Sequence, residues 1–338
     1  MKYKLRAIFR GNWKALFDTV KSVSKKTKRS KIVIFFDIMW CLVRFGAGHN
    51  DYREFEFYNL TNKQRNTYVT RFRSKKIHTL LNNPEYSDYF DNKAIFNEKF
   101  KKYLNRETLD IEKTSLKDFE KFAKKHEVMF CKPYRGDSGK GIEKLNVKDF
   151  KSIEEMYNYI KEKQIGDVEE QIIQHKEMAI VNNYAVNCIR VVTILCNDEV
   201  EIVGAIVKFG QSTDYVDNQG RGQCVSGPVD LETGKIIYDL KDVNGKVFKE
   251  HPRSKVKYVG FEIPMFKEVI ELAKKAAKVV PEVKQVGWDM CVTENGPAIV
   301  EGNNWNDYLF FQQPEHNPEK VGLMPFYKKT LEKMGKKL

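Results

Sequence analysis

The sequence predicts an α+β protein, in which helices are mixed with groups of neighbouring antiparallel strands. Apolar residues recur at helical spacing in SLKDFEKFAKKH (115–126) and in MFKEVIELAKKAAKVV (265–280). Two long β-rich segments follow one another at 185–196 and 199–209. Because the strands come in adjacent groups, a doubly wound parallel sheet is not expected.

The individual elements follow from the same patterns. Ser115, with Asp118 three residues later, forms a capping-box signal for the helix that begins there. Pro281 ends the helix predicted at 265–280. The other predicted elements are helices at 32–45, 64–81, 93–104, 149–163 and 318–335, strands at 127–133 and 168–174, a polar loop at 210–230 and a hairpin at 286–305.

Composition places the chain among globular proteins with a large core. It has 338 residues, of which 41% are hydrophobic, and this length suggests two or three lobes. The six cysteines are scattered and form no C-x-x-C pair, so neither a disulfide framework nor a zinc site is expected. This pattern fits a reducing compartment.

The positive charge is concentrated at the N-terminus. Residues 1–50 carry twelve Lys and Arg against two Asp, a balance of +10 within the total of +13. The neighbouring IVIFFDIMWCLV (32–43) is apolar apart from Asp37, but it is far shorter than the ~20 residues that span a bilayer and does not match a signal peptide. We therefore expect a buried core helix at 32–45.

The basic run KSVSKKTKRSK (21–31) leaves an alternative for the N-terminal region. A basic, amphipathic segment can rest on anionic lipid, here at the inner face of the plasma membrane. A nucleic-acid partner is not expected, because no RNA- or DNA-binding motif accompanies the charge.

The glycine-rich loop RGDSGKGI (135–142) has the composition of a phosphate-binding loop. Its glycines leave backbone N–H groups free to approach phosphate oxygens, and Arg135 and Lys140 add positive charge. It is not a Walker A loop, because Tyr134 stands where the first glycine would be and Gly141 replaces the Ser or Thr. A mobile glycine turn between two strands would explain the loop equally well on its own.

Charged residues elsewhere favour a phosphate site. Lys132 ends an apolar strand directly before the loop, where a lysine needs an anion. If the hairpin loop is Thr293–Pro297, Asp289 lies opposite Glu301, and Asn303 shares their face. Two carboxylates held so close require a cation, and oxygen ligands of this kind suit Mg²⁺. A solvent-facing acid pair beside a turn is the simpler alternative for Asp289 alone.

Several of these motifs together resemble a known family. CKPYRGDSGKGI, EEQIIQHKEMAIVNNYAVNCIRVVTI, YVDNQGRGQCVSGPVDLETGK and GWDMCVTENGPAIVEGNNW resemble the sugar-transfer-associated ATP-grasp proteins encoded with polysaccharide-synthesis enzymes. The likeness is strongest from 128 to 310, and DYREFEFYNLTNKQRNTYVT (51–70) extends it. It implies an ATP-grasp fold, two α+β lobes clasping ATP, with an N-terminal helical region. The expected domains are a basic helical extension at 1–50, a helical region at 51–125, a small lobe at 126–180 and a C-terminal lobe at 181–338.

The resemblance implies a binding site for ATP and Mg²⁺. Asp289, Glu301 and Asn303 correspond to the metal ligands of the family. The hinge EEQIIQH (169–175) would face the adenine and ribose. The residues implied to bind the nucleotide are Lys93, Lys132, Arg135, Gly136, Ser138, Gly139, Lys140, Gly141, Glu170, Gln174 and His175.

The resemblance also implies the groups that act on the acceptor. Asn187 and Arg190 match a strand that faces the γ-phosphate and the acceptor, and Lys208 stands where the family often has arginine. Lys132, Arg190 and Lys208 are therefore the expected catalytic residues. The loop 217–227 would face the substrate through Asp217, Asn218 and Arg221, although Arg221 between two glycines departs from the family pattern.

The activity implied is that of an ATP-dependent carboxylate–amine ligase that acts through an acyl phosphate. Its partners would be ATP, a carboxylate such as an amino acid, and an amino-sugar acceptor in surface or capsular polysaccharide synthesis. Two alternatives remain open: a kinase that phosphorylates a hydroxyl, and a nucleotide-binding membrane adaptor without turnover.

Overall fold

The computed structural model describes residues 12–136, 139–215, 224–305 and 308–338. The helices are α1 Trp13–Thr27, α2 Lys31–Phe45, α3 His49–Glu54, α4 Asn62–Arg65, α5 Arg71–Leu81, α6 Asp88–Asp91, α7 Lys93–Phe100, α8 Leu116–Lys125, α9 Ile153–Glu162, α10 Lys176–Ala179, α11 Phe266–Ala276 and α12 Met324–Lys333. The strands are β1 Thr108–Asp110, β2 Val128–Lys132, β3 Glu143–Asn146, β4 Asp167–Glu170, β5 Cys188–Cys196, β6 Glu199–Gly210, β7 Cys224–Val229, β8 Leu240–Lys241, β9 Val247–Phe248, β10 Gln285–Thr293 and β11 Gly296–Asn303.

The chain divides into two compact units. One contains the N-terminal residues up to Leu81 and the C-terminal segment that ends at Leu338, and the other contains the chain between them. Among the helices that the structure describes, none has the length and apolar character that a membrane crossing requires.

The first unit is helical and has a core rich in aromatic side chains, among them Phe55, Phe57 and Tyr68, all buried. Asp37, the acid within the apolar segment 32–43, lies against this core. Arg65 donates to both of its carboxylate oxygens, each at 2.7 Å. The ion pair therefore explains how an otherwise apolar helix carries a carboxylate.

The predicted helix at 64–81 is wrong in its first part, because the chain leaves the helical path between α4 and α5. There the backbone of Val69 bonds the buried side chain of Gln312, which accepts from the Val69 N–H at 2.8 Å and donates to the Val69 carbonyl at 3.0 Å. The Met324 N–H donates to the carbonyl of Thr67. Contacts with the distant C-terminal segment thus replace the local helical hydrogen bonds.

The prediction of a core helix at 32–45 is only half right. One face of α2 is buried through Ile34, Ile38 and Cys41. The opposite face is apolar and exposed: Phe36 remains 65% exposed and Trp40 51% exposed.

The second unit contains two antiparallel sheets. The smaller has the order β1-β4-β2-β3 and packs against α8 and α9. Helix α8 begins after Ser115, whose Oγ accepts from the N–H of Asp118 at 3.2 Å, so the predicted start is confirmed. The strand predicted at 168–174 ends earlier, at Glu170.

The larger sheet has the order β11-β10-β5-β6-β7-β8-β9. Its core includes the fully buried Trp288 and residues of α11. The predicted loop at 210–230 is wrong at its C-terminal end, because Cys224–Val229 pairs with β6 as strand β7. The last helix also begins later than predicted, at Met324.

Candidate active site

The hairpin β10–β11 places two carboxylates side by side. Asp289 is directly opposite Glu301, as the sequence predicted. The predicted five-residue loop is wrong, however, because Thr293 pairs with Gly296 and leaves a two-residue turn. A two-residue turn alone would shift the register of β11 against β10 by one residue, yet Asp289 still pairs with Glu301.

A β-bulge next to Asp289 explains why the pairing holds. The register of the turn continues to Met290 opposite Ile299 and then shifts by one residue, so that Val300 is extra on β11. Without this shift Glu301 would lie opposite the buried Trp288, on the core face of the sheet. The bulge therefore turns Glu301 to the face that carries Asp289.

Two cationic side chains lie on the same face as Asp289 and stabilise its negative charge. Asp289 is paired with Arg190 across β10 and β5. Arg190 Nε donates to Asp289 Oδ1 at 2.6 Å, and Lys208 Nζ lies 3.0 Å from the same oxygen. Burial alone would raise the pKa of Asp289, but the charges of Arg190 and Lys208 outweigh burial and hold that pKa well below its usual range.

Glu301 and Asn303 complete the set of oxygen-bearing side chains. Glu301 Oε1 lies 4.0 Å from Arg190 Nη2, and Asn303 Nδ2 lies 3.4 Å from the same carboxylate oxygen. The pKa of Glu301 is raised by its position deep in the site and by the charge of Asp289, although 51% of the side chain is accessible. An added cation would relieve this repulsion, so the donor set fits Mg²⁺.

The smaller sheet presents a second buried charge cluster, centred on Glu169. Lys132 Nζ donates to Glu169 Oε2 at 2.6 Å, which supplies the anion that the sequence required. Arg106 donates from Nε to the same oxygen at 2.9 Å and from Nη2 to Oε1 at 3.1 Å. Burial would raise the pKa of Glu169, but the charges of Arg106 and then Lys132 outweigh it and lower that pKa.

Arg106 also contacts the other sheet. Its Nη2 donates to the carbonyl of Val300 at 3.1 Å, and its Nη1 donates to the carbonyl of Ile299. These are the two residues at the β-bulge. One guanidinium thus joins the Glu169 cluster to the backbone that positions Glu301.

Sequence analysis missed Arg106, Glu169 and two neighbours, Asp167 and Asn97. Asn97 Nδ2 donates to Asp167 Oδ1 at 2.8 Å. Burial and the charge of Glu169 raise the pKa of Asp167 well above its usual range. The signal was present in DVEE (167–170): Val168 belongs to the apolar core of the small sheet, so Asp167 and Glu169 face the opposite side.

Lys93 and the glycine-rich loop lie together. Lys93 is the first residue of α7, and its Nζ donates to the Gly136 carbonyl at 2.9 Å. Burial lowers the pKa of Lys93, with a further contribution from the charge of Lys132. Gly139 and Gly141 have φ of 67° and 75°, the left-handed region that glycine adopts without strain. Lys140 is exposed, and Arg135 pairs with Asp88 at 2.9 Å.

The predicted hinge residues are held by different contacts. Glu170 Oε2 lies 3.2 Å from His126 Nε2, and the His175 N–H donates to the Val292 carbonyl at 2.7 Å. Gln174 Oε1 accepts from both the N–H and the Nδ2 of Asn187, at 3.0 Å each. Among the described residues no hydrogen-bond partner reaches Asn187 Oδ1, which is fully buried.

Some predicted site residues lie outside the described part of the chain: Ser138 of the glycine-rich loop, and Asp217, Asn218 and Arg221 of the substrate-facing loop. For them the sequence-based roles stay predictions.

The matching family model identifies an ATP-grasp protein. The model of the sugar-transfer associated ATP-grasp family matches residues 72–319. The chain belongs to that family, and its ATP-grasp fold implies nucleotide binding. No curated protein matches the chain.

Solved structures of other enzymes are similar to the chain at low identity. The ATP-grasp ligase PsnB complexed with minimal precursor, Mg and ADP is 14% identical, with 83% of this chain and 74% of that chain covered and a TM-score of 0.41. D-alanine–D-alanine ligase from Bacillus anthracis is 13% identical, with 78% and 73% covered and a TM-score of 0.42. D-cycloserine synthetase DcsG is 11% identical, with 74% and 72% covered and a TM-score of 0.43.

Proposed function

We propose that this protein is an ATP-dependent carboxylate–amine ligase that works through an acyl phosphate. The observation that carries the proposal is the Asp289 cluster, in which Arg190 and Lys208 share one buried carboxylate beside Glu301. Cations and carboxylates on one face suit the transfer of a phosphoryl group, whose negative charge must be bound and oriented.

Asp289, Glu301 and Asn303 are the residues that would hold Mg²⁺. When bound, the ion neutralises negative charge on the phosphate oxygens of ATP. Arg190 and Lys208, which pair with Asp289 in the structure, would stabilise the transferred phosphoryl group. Lys93, Lys132 and the backbone N–H groups of the glycine-rich loop would bind the remaining phosphate charge.

The reaction needs no protein nucleophile. The acceptor carboxylate oxygen attacks the γ-phosphorus of ATP and ADP leaves. The amine nitrogen then attacks the acyl carbon, loses a proton, and phosphate leaves with its oxygen. Alignment and exclusion of water are the tasks of the protein.

The substrates we propose are an amino acid or similar carboxylate and an amino sugar used in surface polysaccharide synthesis. The family description, which associates these proteins with sugar transfer, supports this choice. We also propose a cytoplasmic location, which the six buried free cysteines support because disulfides are rare in reducing compartments.

A screen for ADP release tests the proposal. Amino acids are paired with nucleotide-activated amino sugars, and the condensed product is identified by mass spectrometry. Hydroxylamine should convert the acyl phosphate into a hydroxamate. A stable phosphate ester in place of the hydroxamate would instead identify a kinase.

The variants Asp289→Asn and Glu301→Gln should each lower ADP release by roughly 100-fold, because each removes a carboxylate that would hold Mg²⁺. Glu268→Gln is the control, since Glu268 is an exposed carboxylate in the first turn of α11. Equal activity of all three variants would contradict the proposed site.

A further inference from the structure

Helices α1 and α2 carry an apolar surface that is exposed in the described part of the chain. Its large side chains are between 40% and 70% exposed. We call this surface the aromatic face; it consists of Trp13, Phe17, Ile32, Val33, Phe36, Trp40 and Val43.

The aromatic face is continuous across the two helices. The ring centroids of Trp13 and Phe17 are 6.2 Å apart, and Phe17 stacks on the half-buried Phe35 at 6.1 Å. Phe35 meets Phe36 edge to face at 5.5 Å. Trp40 follows Phe36 by one helical turn.

Chance exposure does not explain this arrangement. Ile32, Phe36, Trp40 and Val43 recur at helical spacing on one side of α2, while its other side is buried in the core of the unit. A helix that is apolar all round is normally covered on all sides. A contiguous exposed apolar surface marks an interaction site.

Cations border the aromatic face and acids are scarce beside it. On the described parts of α1 and α2, the acid Asp18 is exposed, whereas Asp37 is paired with Arg65. The exposed cations on and between the two helices are Lys14, Lys21, Lys25, Lys28, Arg29, Lys31 and Arg44, together with Lys26, which is paired with Glu56. The surface therefore combines apolar side chains with a strong positive charge.

We propose that the aromatic face docks on an anionic lipid bilayer, with α1 and α2 lying in the plane of the interface. Tryptophan favours the membrane–water interface, and flanking lysines are attracted to anionic headgroups. A protein partner fits less well, because lysine is depleted in protein–protein interfaces. This proposal does not depend on the ligase reaction.

Vesicle sedimentation of the full-length protein tests the docking surface. Binding is compared between phosphatidylcholine vesicles and vesicles that also contain phosphatidylglycerol, at low and high salt. We expect binding to the anionic vesicles, weakened by salt. The double variants Phe36→Ser/Trp40→Ser and Lys25→Glu/Lys28→Glu should each reduce it by about tenfold or more.

The control is Val243→Ser/Val259→Ser, which removes two exposed apolar side chains, 54% and 51% exposed, from the other unit. It should bind anionic vesicles like the parent protein. Thermal melting confirms that each variant is folded, as expected for exposed positions. Equal loss of binding in the control and the Phe36→Ser/Trp40→Ser variant would overturn the proposal.

Fluorescence locates the contact. In a Trp305→Phe background, the exposed tryptophans are Trp13 and Trp40, since Trp288 is fully buried. Anionic vesicles should shift the emission to shorter wavelength, and brominated lipids should quench it. No binding, equal binding to neutral and anionic vesicles, or a self-association that Phe36→Ser/Trp40→Ser abolishes would each overturn the proposal; the last would assign the face to a second copy of the chain.

Discussion

Glu169 and Glu170 are neighbours in the sequence, but strand geometry gives them opposite surroundings. Glu169 is buried between Arg106 and Lys132, whereas Glu170 is half-buried beside His126. The resemblance assigned the nucleotide contact to Glu170, which stays a prediction. The structure adds Glu169 as the residue that neutralises the buried cations.

The variants Glu169→Gln and Glu170→Gln should therefore differ in stability. Glu169→Gln removes the carboxylate that pairs with the buried Arg106 and Lys132 and should lower the free energy of unfolding by about 3 kcal/mol. Glu170→Gln should change it by about 0.5 kcal/mol or less. Urea denaturation measures both values. A similar loss in both variants would show that Glu169 is better solvated than its position indicates.

The pH dependence of the free energy of unfolding is a second measurement on the same two variants. Because the pKa of folded Glu169 lies below its ordinary value of 4.5, its contribution is complete above pH 4.5 and is lost as pH falls below that value. Glu169→Gln should lack this part of the acid dependence, and Glu170→Gln should retain it.

At this scale the sequence predicts which side chains need a partner, and the fold decides which partner they find. Lys132 at the end of an apolar strand required an anion, and the structure supplies Glu169. Arg190 in a buried strand required an acid or an anion, and the structure supplies Asp289. Neither pairing could be read from the sequence, since each joins residues on different strands.

In the hairpin β10–β11, a turn that is shorter than predicted and a β-bulge have opposite effects on the strand register. The sequence suggested a longer loop than the structure has, yet it predicted the pairing of Asp289 with Glu301 because the β-bulge at Val300 restores that register. A bulge has no signal in this sequence. It became evident only from the strand pairing and from the two carbonyls to which Arg106 donates.

Arg106→Lys should loosen the bulge while keeping the charge beside Glu169. Lysine lacks the planar fork that reaches Glu169 and the carbonyls of Ile299 and Val300 together. We expect a loss of about 2 kcal/mol in the free energy of unfolding. We also expect a decrease of roughly tenfold in magnesium-linked ATP affinity, because Glu301 is no longer held in place.

Calorimetry with and without Mg²⁺ measures this affinity. Arg53→Lys is the matched control, because Arg53 forms an exposed pair with Glu54 in the other unit. Unchanged nucleotide affinity in Arg106→Lys, with lowered stability, would limit Arg106 to a structural role.

The whole molecule is assembled from segments that are distant in the sequence. The N-terminal helices share a unit with the C-terminal segment, and Gln312 is one of the residues that connect them. Its side chain also donates to the Tyr308 carbonyl and accepts from the Leu323 N–H. The domain boundaries proposed from the sequence at 50, 125 and 180 stay a prediction.

Gln312→Leu should destabilise this unit by roughly 3 kcal/mol, because it leaves buried backbone groups of Val69 without partners. Hydrogen exchange should become faster at Val69 and Leu323, while the amides of β10 and β11 keep their protection. Gln313→Leu, at the adjacent half-buried position, is the control and should exchange like the parent protein. Faster exchange throughout both units would contradict a local role for Gln312.

The sequence by itself determined the α+β class, the start of α8 and membership of the ATP-grasp superfamily. These depend on local periodicity, on capping chemistry and on motifs whose residues are close in the chain. The tertiary structure decided the break between α4 and α5, the register that pairs Asp289 with Glu301, the Glu169 cluster and the exposed side of α2. Each of these depends on which distant segment packs against a residue. Hydrophobic periodicity indicates that one side of a helix is apolar, but it does not indicate which segment packs against that side.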